Sequence, residues 1–502
     1  MKNGQIKGGA IISYLGIIVN IFTCIIYTPW ILKTIGTSNY GLYTLAISLI
    51  SIFVMDFGVS AAVTRYSSLY LAKGEKEKSD EVVALAYKLF LLIDVLIAFV
   101  LVVVFFMIPT IYRELTPGEI DKFKVVYIIV AVYNVIQFPF TNLNGILNAY
   151  EKFIQLKLGD LINKLFVVVT TIVALLCGGG LYELVTINAI GGLVTIAFKW
   201  TMVKRHTDCK PQFGSKSTTI KLSEILGFSA WSTVISVASR CIFLLTPSIL
   251  GAMSGTLAIA IFGFASTLEN YVFLVANALN GLFLPKIARI SVSDNRDTNL
   301  LQLMIRVGRI QIYIIGLIIV GFIVLGDIFI EIWLGGDYGV LFPCTMLLIL
   351  PSYINLPQQI ANTTMTVENH VKSQAVVFVL MAIINIALSL VISKKYGALG
   401  ACVSIFVAYM FRVIAMNYLY KNKLGIDLLC FFKNTFIKIA PYQIFVVVIG
   451  YLLRFIIGSH FNKTISFCII GFCVVIVYAI VCYIFTMNEE EKLVIKRITE
   501  RR

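Results

Sequence analysis

The residues of this chain most able to do chemistry are few, and they fall inside apolar runs. Arg240 lies about halfway along one such run, with Ser229, Thr233 and Ser236 before it at spacings that put all four on one helical face. The next run carries Glu269 and Asn270, then Asn277 and Asn280. Arg240 and Glu269 stand about equally far from the turn near Gly255, which predicts a shared membrane depth. A guanidinium there can grip an anion through paired hydrogen bonds, and the asparagines can bond hydroxyl-rich groups. A carboxylate there can carry a proton or a small cation. The first two runs repeat the theme more mildly. Ser13, Asn20 and Tyr27 recur every seventh residue, and Asp56 stands toward the end of the second run. Arg412 falls in the inner half of a later run, facing either an interior or the interface. Two accounts of Arg240 and Glu269 stand side by side: a mutually neutralising pair that locks a bundle, or the lining of a hydrated cavity.

No enzyme chemistry accompanies these groups. There is no Walker A sequence, HExxH, nucleophile elbow or Gly-rich phosphate loop. The three histidines, His206, His370 and His460, are far apart, and the ten cysteines are scattered without a CxxC. The expectation is a protein that is not an enzyme, with no metal site and no cofactor.

The elements that must position these groups are membrane helices. Hydrophobic residues make up 59% of 502 positions, charged residues only 13%, and mean hydropathy is +0.92. A soluble domain of this length does not have that balance. About fourteen apolar runs are long enough to cross a bilayer as helix. The start, Met1 to Lys7, is basic and leads into a full-length run with no small-residue cleavage site, so an uncleaved first helix is expected. With that end inside, about 31 of the 41 basic residues fall on the cytoplasmic side, Lys286 and Arg289 among them. Much of the net charge of +15 is then topology and contact with anionic membrane lipids, and no nucleic-acid module is present. Asp160, with Lys157 and Lys164 nearby, reads as a surface ion pair.

The runs are also written twice. Pro247 follows Pro29, Pro357 follows Pro139, and Leu399 follows Leu181, each by 218 positions. A constant register at three distant points predicts two copies of six helices, and an even number of spans gives both the same orientation. The expected fold is therefore an all-α integral membrane protein. An N-terminal six-helix bundle spans 1–204, a cytoplasmic linker 205–221, a second six-helix bundle 222–425, and two extra helices with a cytoplasmic tail 426–502. The two bundles are expected to be related by a pseudo-twofold along the membrane normal. The recurring prolines read as helix kinks.

Lys7-Gly8-Gly9-Ala10-Ile11-Ile12-Ser13-Tyr14, Tyr27-Thr28-Pro29-Trp30, Gly36-Thr37-Ser38-Asn39-Tyr40-Gly41-Leu42-Tyr43 and Asp56-Phe57-Gly58 resemble the bacterial polysaccharide transporters. These are the Wzx-type flippases of the multidrug/oligosaccharidyl-lipid/polysaccharide exporter superfamily. The resemblance implies alternating access in the bacterial plasma membrane, with both termini cytoplasmic. It implies a lipid-linked oligosaccharide on undecaprenyl pyrophosphate, moved to the outer leaflet for O-antigen, capsule or exopolysaccharide synthesis. Arg240 would then meet the pyrophosphate, and Asn20, Asn270, Asn277 and Asn280 the sugar. Lys286 and Arg289 would collect the head group, Glu269 or Asp56 would carry a coupling H+ or Na+, and a polysaccharide polymerase is a candidate partner. Lipid II flippases of the same superfamily cluster cations in the first helix, whereas none lies here between Lys7 and Lys33. The alternative within the superfamily is a cation-coupled multidrug or metabolite antiporter, which more often has a buried acid in the first helix, also missing here.

Overall fold

The computed structural model describes residues 8, 12, 15–16, 19–20, 23, 27–53, 58–210, 222–277, 283–291, 293–335, 338–458 and 460–493. Helix is the only regular structure among them. Long unbroken runs of Leu, Ile, Val and Phe leave the backbone no partner in hydrocarbon but itself, and helix satisfies every N–H and C=O locally. Helix α1 covers 27–35, followed by α2 (Thr37–Phe53), α3 (Val59–Ala72), α4 (Lys76–Ile111), α5 (Pro117–Gln137) and α6 (Asn142–Ala149). Then come α7 (Phe153–Leu176), α8 (Leu181–His206), α9 (Leu222–Met253), α10 (Gly255–Asn277), α11 (Leu284–Ile290) and α12 (Arg296–Leu334). The chain continues through α13 (Leu341–Asn355), α14 (Gln359–Val367), α15 (Val371–Leu424), α16 (Leu428–Phe432), α17 (Lys438–Gly458) and α18 (Lys463–Val481).

Among the described residues, ten helical stretches are long and apolar enough to cross a membrane. One of these, α15, has 54 residues and would be about 80 Å long if straight. Gly397 breaks it in two with φ 54 and ψ −132, a backbone conformation that only glycine adopts without strain. The protein is thus an all-α, multi-pass membrane protein. Side chains such as Leu92, Val95, Phe99 and Phe106 on α4 and Phe455 on α17 are exposed, as a lipid-facing surface requires.

The sequence repeat reappears as repeated backbone geometry. Pro139 sits in a 3-10 turn, Phe138–Thr141, that leads into α6, and Pro357 sits in another, Leu356–Gln358, that leads into α14. Each short helix ends at a corner held by a non-glycine residue with positive φ, Glu151 (57°) and Asn369 (62°), again 218 apart. At the first corner Glu151 N donates to Asn148 O and Lys152 N to Leu147 O. At the second, Asn369 N donates to Thr366 O and His370 N to Met365 O. Pro139 and Pro357 stand at breaks between helices, Pro247 lies inside α9, and Pro29 lies in α1 with the turn before it outside the described residues.

The chain forms two compact units, Met1–Gly263 with Ile386–Gly397, and Phe264–Asn385 with Ala398–Arg502. In the first, α2 packs on α5 and α9, α3 on α4 and α6, and α7 on α8. In the second, α12 is the central post, and α13, α17 and α18 pack around it. Val320 and Val324 meet Val446, Ile470 and Val474 in its core. A buried polar network pins the last two long helices to α12. Gln443 Nε2 donates to Ile312 O (3.2 Å) and to the Tyr478 hydroxyl (2.9 Å), and Tyr478 donates on to Tyr313 O (2.8 Å).

Candidate functional site

Within the first unit, α9 buries Ala238, Ile242, Ile249 and Leu250 and leaves Arg240 exposed. Arg240 and Ser236 are exposed and Thr233 half-buried, while the side chain of Ser229 lies outside the described residues. Among the described residues no carboxylate pairs with Arg240. Asn20 is half-buried and engaged. Asp56 and Asn280 lie outside the described residues, as does the side chain of Asn277, the last residue of α10.

The same unit is sealed at one end by a carboxylate that the sequence reading passed over. Glu119 Oε1 accepts from the hydroxyls of Ser38 (2.5 Å) and Thr256 (2.9 Å). Its Oε2 accepts from the backbone N–H and the hydroxyl of Thr116, both at 3.0 Å. Thr116 and Glu119 form a capping box at the start of α5, a pattern visible in sequence as Thr-x-x-Glu. What was not visible is that the spare oxygen would gather the first turns of α2 and α10. The same end is packed closely. A Cβ on Gly41 would run into the Thr256 carbonyl oxygen, and Gly251 lies against Tyr112 and Leu45. The Ser254 hydroxyl donates to Ser393 O (2.9 Å).

Elsewhere in this unit, Lys199 on α8 is buried and donates to Asp160 Oδ1 (2.7 Å) and Asn144 Oδ1 (2.9 Å), joining α8 to α7 and α6. The expected surface pair of Asp160 with Lys157 is the looser contact, at 3.9 Å. The tighter partner is distant in sequence.

In the second unit, Glu269 on α10 is 9% exposed and accepts a hydrogen bond from Ser352 of α13. Asn270 beside it is exposed. Arg412 is buried too. Its Nη2 donates to Asn355 Oδ1 (2.9 Å), and its guanidinium lies 4.3 Å from the Phe378 ring centre and 5.5 Å from that of Tyr409. Arg412 Nε has no hydrogen-bond acceptor among the described residues, nor has Gln358 Nε2 a partner. No ion pair joins Glu269 and Arg412. A buried carboxylate without a cation among the described residues and a buried guanidinium short of one acceptor need polar company, which water or a solute supplies. Lys286 and Arg289 are exposed on α11. No group of three or more His, Cys, Asp or Glu side chains converges among the described residues.

An all-α, multi-pass membrane fold with charged groups on selected faces of apolar helices defines the class. The chain belongs to the polysaccharide biosynthesis protein family, whose model matches residues 6–291. No curated protein matches the chain. Among solved structures, it is similar to the lipid II flippase MurJ in an inward closed conformation. That match has 17% identity and a TM-score of 0.73, and covers 95% of this chain and 98% of that one. It is also similar to an inward-facing multidrug resistance MATE transporter of the MOP superfamily, with 14% identity and a TM-score of 0.62 over 82% of this chain and 98% of that one. A MOP superfamily transporter from Pyrococcus furiosus matches at 14% identity and a TM-score of 0.54, over 83% of this chain and 95% of that one. At these identities the solved structures establish the fold.

Proposed function

We propose that the protein is a flippase for oligosaccharide repeat units linked to undecaprenyl pyrophosphate. It moves them by alternating access from the cytoplasmic to the outer leaflet of a bacterial plasma membrane, supplying O-antigen, capsule or exopolysaccharide synthesis. The observation that carries this reading is Arg240: an exposed guanidinium, without an acidic partner among the described residues, on the hydroxyl-bearing face of an otherwise apolar helix. The barrier to flipping is the transfer of a pyrophosphate and its sugars through hydrocarbon, while the lipid tail can stay in the bilayer. A cation on a hydrated face lowers that barrier where the head group's charge is least well solvated. Family membership supports a role in polysaccharide assembly. Glu269, buried without a counter-cation among the described residues, is the group we assign to the coupling H+ or Na+.

The test is flipping of a fluorescent undecaprenyl-pyrophosphate oligosaccharide in proteoliposomes. Arg240→Ala removes a charge-assisted contact of about 1.5–3 kcal/mol, so transport should fall by roughly ten- to a hundredfold. Arg240→Lys should keep part of it. Equal transport by wild type and Arg240→Ala would remove Arg240 from the pathway. Failure of a folded wild type with a panel of lipid-linked sugars would favour the alternative reading, a cation-coupled multidrug or metabolite antiporter.

A further inference from the structure

In the second unit a cavity of about 1040 Å³ opens between α11, the first half of α12 and the segment after α18. Its floor is built around Arg309, which is 1% exposed. Glu491 holds this guanidinium through Nε (2.7 Å) and Nη2 (2.9 Å). Nη1 donates to Asn434 O, and Thr486 O and the Tyr313 hydroxyl share Nη2 with Glu491. Arg309 and Glu491 therefore cancel each other and close the wall. The remaining cations are free to act. Lys286 and Arg306 both line the cavity, both are exposed, and neither has an ion-pair partner among the described residues. Glu490 is the one further carboxylate on the described lining.

The lining is graded along one helix face. Asn299, Gln302 and Arg306 follow at i, i+3 and i+7 on α12, and the same face continues as Ile310 and Ile314. Amide donors and cations at one end and alkyl side chains at the other suit an amphiphile rather than a soluble anion.

We propose that this cavity binds the phosphate of a membrane lipid. The phosphate lies between Lys286 and Arg306, head-group hydroxyls meet Asn299 and Gln302, and the first part of the chain lies along Ile310 and Ile314. Two lipids share that chemistry, a polyprenyl pyrophosphate and an ordinary anionic phospholipid. Only the first choice rests on the flippase reading, for which this would be a loading site ahead of Arg240.

The test is a titration of the purified full-length protein, followed by native mass spectrometry. The probes are undecaprenyl pyrophosphate, phosphatidylglycerol and phosphate-free diacylglycerol. Each cation beside an anionic lipid contributes roughly a fivefold factor, so Lys286→Gln/Arg306→Gln should weaken binding on the order of twenty-five-fold. The charge-conserving Lys286→Arg/Arg306→Lys should bind near wild type. A response to undecaprenyl pyrophosphate alone assigns a substrate-loading site, and an equal response to phosphatidylglycerol assigns a structural lipid. Unchanged binding in the neutral double variant, or equal binding of diacylglycerol, overturns the proposal. Flipping activity is measured separately, so either reading can fail while the other survives.

Discussion

Cys209 shows how strongly surroundings act on a single group. It lies in the stretch after α8, and burial, with the Asp80 carboxylate beside it, pushes its thiol up to about 12. Only the thiolate attacks an electrophile. Alkylation of Cys209 by a maleimide at pH 7.5 should therefore run on the order of a thousandfold slower than that of the exposed Cys177. Its rate should keep climbing as pH is raised through 10. Asp80→Asn removes a like charge and should speed the reaction. Mass spectrometry of the modified peptides checks both, and equal rates for the two cysteines would refute the assignment. At this scale the sequence shows which groups are unusual, because charge within an apolar run stands out. It does not show their partners. Local spacing offered Lys157 to Asp160, but the closer cation is Lys199, which only the packing of α7 on α8 brings near.

Helices were the most legible elements, since apolar length and the positions of Pro and Gly mark their extents and breaks. The seal formed by α2, α5 and α10 was legible only in part, as the capping box at Thr116. Two changes probe it. Glu119→Ala removes hydrogen bonds to a charged group, each contributing about 1.5–3 kcal/mol, whereas Glu119→Gln keeps some of them. Gly41→Ala drives a methyl group into the Thr256 carbonyl, so α2 and α10 must part or strain by about 1–3 kcal/mol. A cysteine placed at Leu45, buried against Gly251, should label severalfold faster with a water-soluble maleimide in either Ala variant. Labelling as slow as in the parent would mean that this end does not depend on the contact.

For the whole molecule, the copy and the compact unit are different partitions of one chain. The copy is a repeat of local rules, and it was readable because a register of 218 needs no knowledge of packing. The unit is set by packing, and the sequence offered no sign that α9 would lie against α2. Nor did it reveal what fastens the last two long helices, which read as an appendix. Glu491, 182 residues beyond Arg309, completes that attachment. Glu491→Ala should cost about 3–5 kcal/mol by stranding a buried guanidinium, and lower the melting temperature in detergent by several degrees. The double change Arg309→Met/Glu491→Leu should cost less. A single variant that melts like wild type would show the pair to be dispensable.

The corners at Glu151 and Asn369 also bear on how the chain comes to be folded. Each is closed by hydrogen bonds reaching no further than five residues back, and the same turn forms with Glu in one place and Asn in the other. The instruction is carried by the backbone path rather than by either side chain. Contacts this local form early and carry little loop-closure cost. A chain still being synthesised would therefore hold a finished hairpin around Glu151 long before the residues near Asn369 exist, and would set the same joint again when they do.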